Sequence, residues 1–179
     1  MAKGIRPGRC YRWDSPAFTR VSNNPADSFV TGIPGSKITK YDMGNISGEF
    51  DSALSIAVKY DIIIRHNSLE AARVVVQKEL EKVLGPANYH FKVNVYPHHI
   101  IRENVMATGA GADRVQDGMR KSFGKPIGRA ARVCKGQAVF TITSNYTEDK
   151  FGKIKKALKS AAQKLPGDYV FVEKRGVAS

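Results

Sequence analysis

The chain has 179 residues, of which 42% are apolar and 25% are charged, so it can bury one ordinary core and is not predominantly disordered. It carries 29 Lys and Arg against 16 Asp and Glu, a formal net charge of +13, which favours a polyanionic partner. No stretch approaches about 18 consecutive apolar residues, which excludes a membrane-spanning helix, and the first residues lack the apolar run of a secretory signal.

The excess charge is concentrated in three segments that contain no acidic residue. Residues 1–13, 120–135 and 150–164 hold 16 bases within 44 positions, whereas the remaining 135 residues have a net charge of −3. Like charges at this density repel one another unless a polyanion such as a phosphate backbone neutralises them. A merely solvated basic face is the alternative, and it stays open above all for the lysines of 150–164. A membrane surface is not favoured, because the only Trp, Trp13, lies outside any periodic helix.

Residues 1–36 contain eight Gly and Pro residues, which excludes a long helix and predicts an extended basic arm. Within the arm, aromatic residues alternate with arginines over 9–13, so guanidinium groups could engage phosphates while rings stack on bases. A second interpretation is that Tyr11 and Trp13 fill the core from an N-terminal strand, and both interpretations can hold for one segment. The two cysteines, Cys10 and Cys134, lie far apart and are predicted to be free thiols in a reducing compartment.

The pattern of the next segment, residues 37–84, predicts two strands and a long helix. Strand potential lies at 37–41, and apolar residues alternate over 54–58 as in a half-buried strand. Asn67 and Glu70 have the spacing of a capping box for a helix over about 68–84. The apolar positions of that helix recur every three or four residues and predict a core-facing stripe of Leu69, Ala72, Val76, Leu80 and Val83.

The second half of the chain mixes strands with a glycine-rich region. Alternation at 91–95 predicts a strand that ends at Pro97 and that Ile100 and Ile101 could continue. Residues 102–136 are predicted to be a mobile basic loop with a short helix at about 112–123. A strand at about 137–144, a helix whose apolar face is Phe151, Ile154, Leu158, Ala161 and Leu165, and a final strand at 169–172 follow. This order predicts an α+β fold, with two main helices packed on a mainly antiparallel sheet.

No enzymatic motif stands out in the sequence. The adjacent His98 and His99 have only Glu103 nearby, and neighbouring residues on a strand point to opposite faces, so a shared metal ion is not expected. No nucleophile elbow and no phosphate-binding glycine loop occurs. We therefore expect no metal, no cofactor and no enzymatic activity. One alternative stays open, an RNA-modifying enzyme that uses His98 or His99 as a general base.

The strongest chemical signal is a series of cations between Arg114 and Arg132, in a segment that also contains glycines. Glycines let the main chain approach a phosphate backbone closely, and arginine presents a planar fork to phosphate. Pro126 is expected to fix a turn there. Because no short aromatic RNA-binding motif accompanies these cations, the sequence predicts recognition of RNA by shape and backbone. Replacing Arg120 or Arg129 with Ala is predicted to lower the salt slope of RNA binding by about one unit each.

Four blocks of sequence in the same order resemble one known family. They are GIRPGRCYR at 4–12, IRHNSLEAAR at 64–73, YPHHIIREN at 96–104, and GADRVQDGMR with FGKP at 111–120 and 123–126. These blocks resemble the large-subunit ribosomal protein called "ten-e" in archaea and eukaryotes, the counterpart of bacterial protein "sixteen", and the chain is most similar to the archaeal form. The likeness runs over essentially the whole chain.

The resemblance implies a single rRNA-binding domain over 1–179, of the α/β-hammerhead type, in the large ribosomal subunit in the cytoplasm. It implies contacts with large-subunit rRNA near the 5S rRNA and the tRNA-binding cleft, and with neighbouring ribosomal proteins, without homo-oligomers or a membrane. It further implies that loop 102–112 reaches toward the tRNA acceptor end at the peptidyl-transferase centre, with no catalytic role. A transient ribosome assembly or translation factor is a second alternative.

Two sets of candidate site residues result. The expected rRNA-binding residues are Lys3, Arg6, Arg9, Arg12, Arg114, Arg120, Lys121, Lys125, Arg129 and Arg132. The expected tRNA-proximal residues are Arg102, Glu103, Asn104, Gly109 and Gly111.

Overall fold

A computed structural model of the chain describes residues 6–11, 13–19, 24, 30, 32–104, 106, 109–111, 114, 118–120, 122–145 and 148–175. Within these residues the strands are β1 (Asp42–Gly44), β2 (Ser52–Val58), β3 (Ile62–Arg65), β4 (Tyr89–Val93), β5 (His99–Glu103), β6 (Lys125–Val133), β7 (Ala138–Ser144) and β8 (Tyr169–Arg175). The helices are α1 (His66–Leu84) and α2 (Glu148–Ala162), and one 3-10 turn spans Gly8–Cys10. The predicted α+β class is confirmed.

The larger sheet and both helices share the main core. Its strand order is β1-β4-β7-β2-β8, and each neighbouring pair is antiparallel. α1 and α2 pack against each other, and their apolar faces are buried together with the sheet. The predicted stripe on α1 is confirmed, since four of its five members are completely buried and Val83 packs against them. Removal of this apolar surface from water is the main stabilising contribution to the fold.

A smaller antiparallel sheet, in the order β3-β6-β5, stands beside the first. Two of the short connections through which the chain passes between the sheets, 59–61 and 134–137, lie next to each other. These connections bind each other, because the main-chain N–H of Lys135 donates to Asp61 Oδ1 at 2.7 Å and that of Gly136 to the Val58 carbonyl at 2.9 Å. The smaller sheet is thereby held in a fixed position against the larger one.

The 3-10 turn near the N-terminus lies directly against the smaller sheet. A Cβ atom on Gly8 would stand 2.3 Å from the carbonyl oxygen of Ile63, so only glycine permits this approach. Tyr11 and Trp13 follow and pack, partly buried, on a small apolar cluster of that sheet. The alternative in which these rings fill a core is therefore the observed one, although their segment is not a strand.

The predicted capping box at Asn67 and Glu70 is wrong. α1 begins at His66 directly after β3, and its N-cap residue, Arg65, makes no side-chain capping hydrogen bond. The Glu70 carboxylate instead binds the guanidinium of Arg73, with N–O distances of 2.6 and 2.9 Å. A bidentate ion pair with a buried arginine outweighs one bond to a helix end.

Three predictions about the strands also differ from the structure. The first strand begins at Asp42 and not at 37–41. β4 ends at Val93, where its pairing with β7 ends, and the expected continuation at Ile100 and Ile101 is the separate strand β5 in the other sheet. β2 is buried on both faces at several positions and not half-buried, because its alanines are covered as well. Strands β7 and β8 and helix α2 lie close to their predicted positions, although α2 ends at Ala162, before Leu165 of the predicted face, and β8 continues to Arg175.

The prediction of a loop throughout 102–136 is wrong for its last third. Residues 125–133 form β6, the longest strand, and Pro126 lies in that strand and not in a turn. Ala130 in the same strand is fully buried, so apolar burial between β3 and β5 overrides the weak strand propensity of a basic, glycine-containing segment. The predicted helix at 112–123 and most of the tract 107–112 lie outside the described residues, as do parts of the 1–36 arm.

Candidate nucleic-acid interface

The predicted rRNA-binding residues differ in what their side chains contact. Lys3, Arg12 and Lys121 lie outside the described residues. A second group has solvent-exposed side chains and comprises Arg6, Arg9, Arg114, Arg120 and Lys125. The third group, Arg129 and Arg132, is half-buried on β6. Among the candidates that the structure describes, only the second group therefore presents its cations openly to a partner.

Arg132 holds the N-terminal segment, defined as the described residues among 6–37. Its guanidinium donates hydrogen bonds to the carbonyl oxygens of Trp13 and Ser15 and lies 4.5 Å above the Trp13 ring. Arg129 acts similarly, since its Nε donates to the Pro34 carbonyl at 3.0 Å. Both guanidinium groups thus satisfy main-chain acceptors of the protein itself.

Glu103 belongs to a polar cluster at the end of β5. It accepts a 2.6 Å hydrogen bond from the Tyr11 hydroxyl, and its carboxylate lies 3.8 Å from Arg6 Nε. Burial, followed by the hydrogen bond to Glu103, raises the pKa of Tyr11 well above its ordinary value, so the phenol stays protonated and donates. Glu103, expected at the start of a loop, is therefore a fixed strand residue.

Arg102 also belongs to β5, so the loop expected to start there begins only after Glu103. The Arg102 guanidinium carbon lies 4.2 Å from the ring centre of Phe18 and 4.0 Å from that of Phe123. Its Nη1 donates to the Phe123 carbonyl at 3.0 Å. The two rings meet edge to face, with centres 5.5 Å apart. Arg102 thereby joins the N-terminal segment to the segment that precedes β6.

The remaining tRNA-proximal candidates lie beyond β5. Asn104 is half-buried, and its side-chain amide donates to the Gly118 carbonyl at 3.4 Å. Gly109 and Gly111 are exposed, with φ values of +135° and +82°, and a Cβ atom on either would meet nothing within 4 Å. The structure thus joins Arg102, Glu103 and Asn104 to its folded part and leaves both glycines at the surface.

The two adjacent histidines have different surroundings. His98 is exposed, with Nδ1 3.0 Å from the Tyr96 carbonyl. His99 Nδ1 accepts a 2.9 Å hydrogen bond from the main-chain N–H of Phe18. Burial, and then the charges of Arg132, His98 and Arg102, lower the pKa of His99 to about 4, so the ring is neutral and able to accept. One of the two ring nitrogens of His99 therefore has a structural contact within the protein.

His66 was not predicted to have a role, yet its ring also accepts a hydrogen bond from the main chain, here from Lys37. Its buried Nδ1 accepts from the main-chain N–H of Lys37 at 3.2 Å, and burial lowers its pKa. No local sequence pattern could have revealed either contact, because the partners are separated by 29 and 81 positions. Among the described residues, no group of three His, Cys, Asp or Glu could hold a metal ion.

Two further expectations concern the rest of the surface. The lysines of the 150–164 segment are all exposed, while Ile154, Leu158 and Ala161 on the opposite side of α2 are buried. Both cysteines are exposed and free, as predicted. None of the helices in the described ranges is long and apolar enough to cross a membrane.

Comparison with known proteins gives consistent matches. The family model described as Ribosomal protein L16p/L10e matches residues 15–172. The "Large ribosomal subunit protein uL16" of Methanocella arvoryzae is 46% identical over 172 residues, which cover 96% of this chain and 95% of that protein. Proteins of the same name from Methanoculleus marisnigri (46% identical, covering 97% and 98%) and Staphylothermus marinus (45%, covering 90% and 89%) are similar to it. These names are those of a ribosomal subunit protein and not of an enzyme.

Proposed function

Because the chain belongs to the ribosomal protein L16p/L10e family, we propose that it is a structural constituent of the large ribosomal subunit that binds large-subunit rRNA. The observation that carries this proposal is the extent of the similarity, which includes both sheets and both helices and covers at least 95% of two relatives. The proposed rRNA contacts lie near the 5S rRNA and the tRNA-binding cleft. Neighbouring ribosomal proteins are further proposed partners.

The charge distribution supports an RNA partner. Three acid-free segments hold 16 bases, and the side chains of the exposed cations Arg6, Arg9, Arg114, Arg120 and Lys125 have no hydrogen bond or ion pair with other described residues beyond the long Arg6–Glu103 contact. Phosphate groups would neutralise these cations and release counterions. Lys3, Arg12 and Lys121, which lie outside the described residues, belong to the same proposed contact set. Arg129 and Arg132 would contribute by holding the N-terminal segment in position.

The loop that follows β5 is the proposed approach to tRNA. Its base is fixed by Arg102, Glu103 and Asn104, and Gly109 and Gly111 lie at the surface, where a Cβ atom on either would meet nothing within 4 Å. Exposed glycines on a fixed base would allow the backbone to come close to a nucleic-acid strand. We place the acceptor end of tRNA opposite this loop.

Fractionation of ribosomes tests the structural role. A tagged copy of the chain, expressed in cells of a related archaeon, should sediment with large subunits on a sucrose gradient and remain there after a high-salt wash. A protein that leaves the subunits in high salt would instead be a transient assembly or translation factor.

Cross-linking from positions 104–111 tests the orientation of the loop and should give products with the 3′ end of tRNA. Products with unrelated rRNA regions only would contradict the proposed orientation.

The Arg120→Ala variant tests the phosphate contacts. Because Arg120 is exposed, its loss should weaken binding to large-subunit rRNA fragments of different sequence by similar factors and should make the slope of log K against log salt shallower by about one unit. Lys78→Ala is the control, since Lys78 is an exposed cation outside the three acid-free segments and should leave the slope unchanged. An unchanged slope in Arg120→Ala would remove this residue from the interface.

A further inference from the structure

We propose that the exposed ring of Phe123 is a stacking platform for an unpaired RNA base. This inference rests on the proposed function and adds to it the kind of RNA feature that the surface would bind. It arises from the contrast between two sets of aromatic residues: Tyr11 and Trp13, the rings expected to stack on bases, pack against the protein, whereas Phe123 remains 64% exposed.

Phe123 is held firmly although it is exposed. Its carbonyl accepts the hydrogen bond from Arg102, and its ring meets the Phe18 ring edge to face. Phe18 is itself bound to β5 at both main-chain groups, by His99 Nδ1 and by the N–H of Ile100, each at 2.9 Å. The position of the Phe123 ring is therefore already fixed by the fold, so less conformational entropy is lost when a ligand binds to it.

Gly124 fixes the direction in which the chain leaves Phe123. Its φ is +80°, and a Cβ atom there would lie 3.0 Å from the carbonyl carbon of Glu103. A side chain would both strain the backbone and push the segment away from β5. The close approach of Gly124 to β5 keeps Phe123 beside Arg102 and leaves much of its ring surface open to solvent.

The surroundings of the ring suit a nucleotide. The part of the phenyl ring that stays exposed to water makes no hydrophobic contribution to the stability of the fold. Its π surface can receive any base, because every base has a flat aromatic face. The exposed cations Arg120 and Lys125 lie within three positions of it in sequence and could contact the phosphates on either side of a stacked nucleotide. An apolar protein partner would not require cations at this place.

The test compares two oligonucleotides that have the same charge. Fluorescence anisotropy would measure binding of the full chain to an oligoadenylate of about 12 nucleotides and to an abasic ribose-phosphate oligomer of equal length. Phe123→Leu should lower the affinity for oligoadenylate on the order of tenfold and leave the affinity for the abasic oligomer unchanged. Phe123→Tyr, which keeps the ring, should bind both oligomers as the parent does.

Two controls separate stacking from other effects. Tyr60→Leu makes the same kind of change at another exposed ring, 47% exposed in the connection between the sheets, and should alter neither affinity. Arg120→Ala should weaken both affinities, since both oligomers carry phosphates. Equal losses for the two oligomers in Phe123→Leu, or no loss for either, would overturn the stacking role while the proposed function remains. If the parent chain bound neither oligomer nor rRNA, the proposed function itself would fail, and this inference with it.

Discussion

At the scale of single residues, the arginines of this chain have two distinct uses. Arg132 and Arg73 direct their guanidinium groups toward acceptors of the protein: two carbonyl oxygens in one case, the Glu70 carboxylate and the Gln77 amide oxygen in the other. Arg120 and Arg9 face solvent. The planar fork of arginine serves both uses, so residue type by itself does not distinguish a structural arginine from a phosphate-binding one.

Arg132→Ala tests the structural use. The change removes two hydrogen bonds and a cation–π contact from a half-buried site, so we expect the free energy of unfolding to fall by about 1–3 kcal/mol. Urea denaturation would measure it. Arg132→Lys should recover only part of the loss, because an ammonium group lacks the fork that reaches both carbonyls. Lys125→Ala, at an exposed end of the same strand, should change stability by less than about 0.5 kcal/mol. If Arg132→Ala behaved like Lys125→Ala, the anchoring role would be wrong.

At the scale of elements, the N-terminal segment is held on the smaller sheet by polar contacts more than by a core. Neutral imidazoles accept from its main chain at two places, His99 from Phe18 and His66 from Lys37. Arg132 holds Trp13, which precedes both places, and Tyr11 donates to Glu103. Such an element depends on the protonation state of its anchors, because a protonated imidazole cannot accept a hydrogen bond.

Acidification should therefore loosen this element. The pKa of His99 is about 4 in the folded chain against an ordinary value of 6.5, so the unfolded state binds more protons between these limits and stability falls as the pH falls through that window. The lowered pKa of His66, caused first by burial and then by Lys37, Arg129 and Arg65, acts in the same direction. Since the His99 ring is half-buried and partly screened by solvent, we expect it to contribute about 1–2 kcal/mol.

The His99→Asn variant isolates this contribution. Asparagine offers an oxygen near the position of Nδ1 as an acceptor for the Phe18 N–H and does not titrate. Its stability should decline less steeply than that of the parent between pH 6.5 and 4, as measured by chemical denaturation at each pH. Parallel stability curves for the two proteins would show that His99 does not titrate in this range.

At the scale of the whole molecule, an ordinary core supports a surface with a large excess of positive charge. The net charge of +13 opposes compaction through self-repulsion, and the buried residues of the two helices and the larger sheet offset it. A polyanion that binds only the folded state removes this repulsion and shifts the folding equilibrium by mass action.

Thermal unfolding should therefore respond to RNA. With deproteinised large-subunit rRNA at a hundredfold excess over the Kd, we expect about 2.7 kcal/mol of added stability and a rise in Tm of about 5–10 °C. The fluorescence of the only Trp, Trp13, would report unfolding of the protein alone. In about 1 M salt the rise should disappear, because counterion release no longer favours binding. A rise that persists in high salt would contradict an electrostatic interface.

The sequence by itself determined the fold class, the buried face of α1, the final helix and strands, and the places where positive charge accumulates. These follow from periodicity and composition, which are local properties of the chain. The family resemblance was likewise visible in four short blocks. Local sequence was insufficient at 125–133, where a glycine-containing basic segment is a central strand because β3 and β5 pair with it from both sides.

Only the tertiary structure decided which cations and rings face outward. Arg129 and Arg120 lie in one acid-free segment, yet the first meets the Pro34 carbonyl, 95 positions away, and the second meets solvent. The Trp13 ring packs on the smaller sheet beneath the Arg132 guanidinium, whereas the Phe123 ring beside Arg102 is exposed to solvent. The physical reason is that hydrogen-bond satisfaction and burial depend on neighbours brought together from distant parts of the chain, and no local pattern specifies those neighbours.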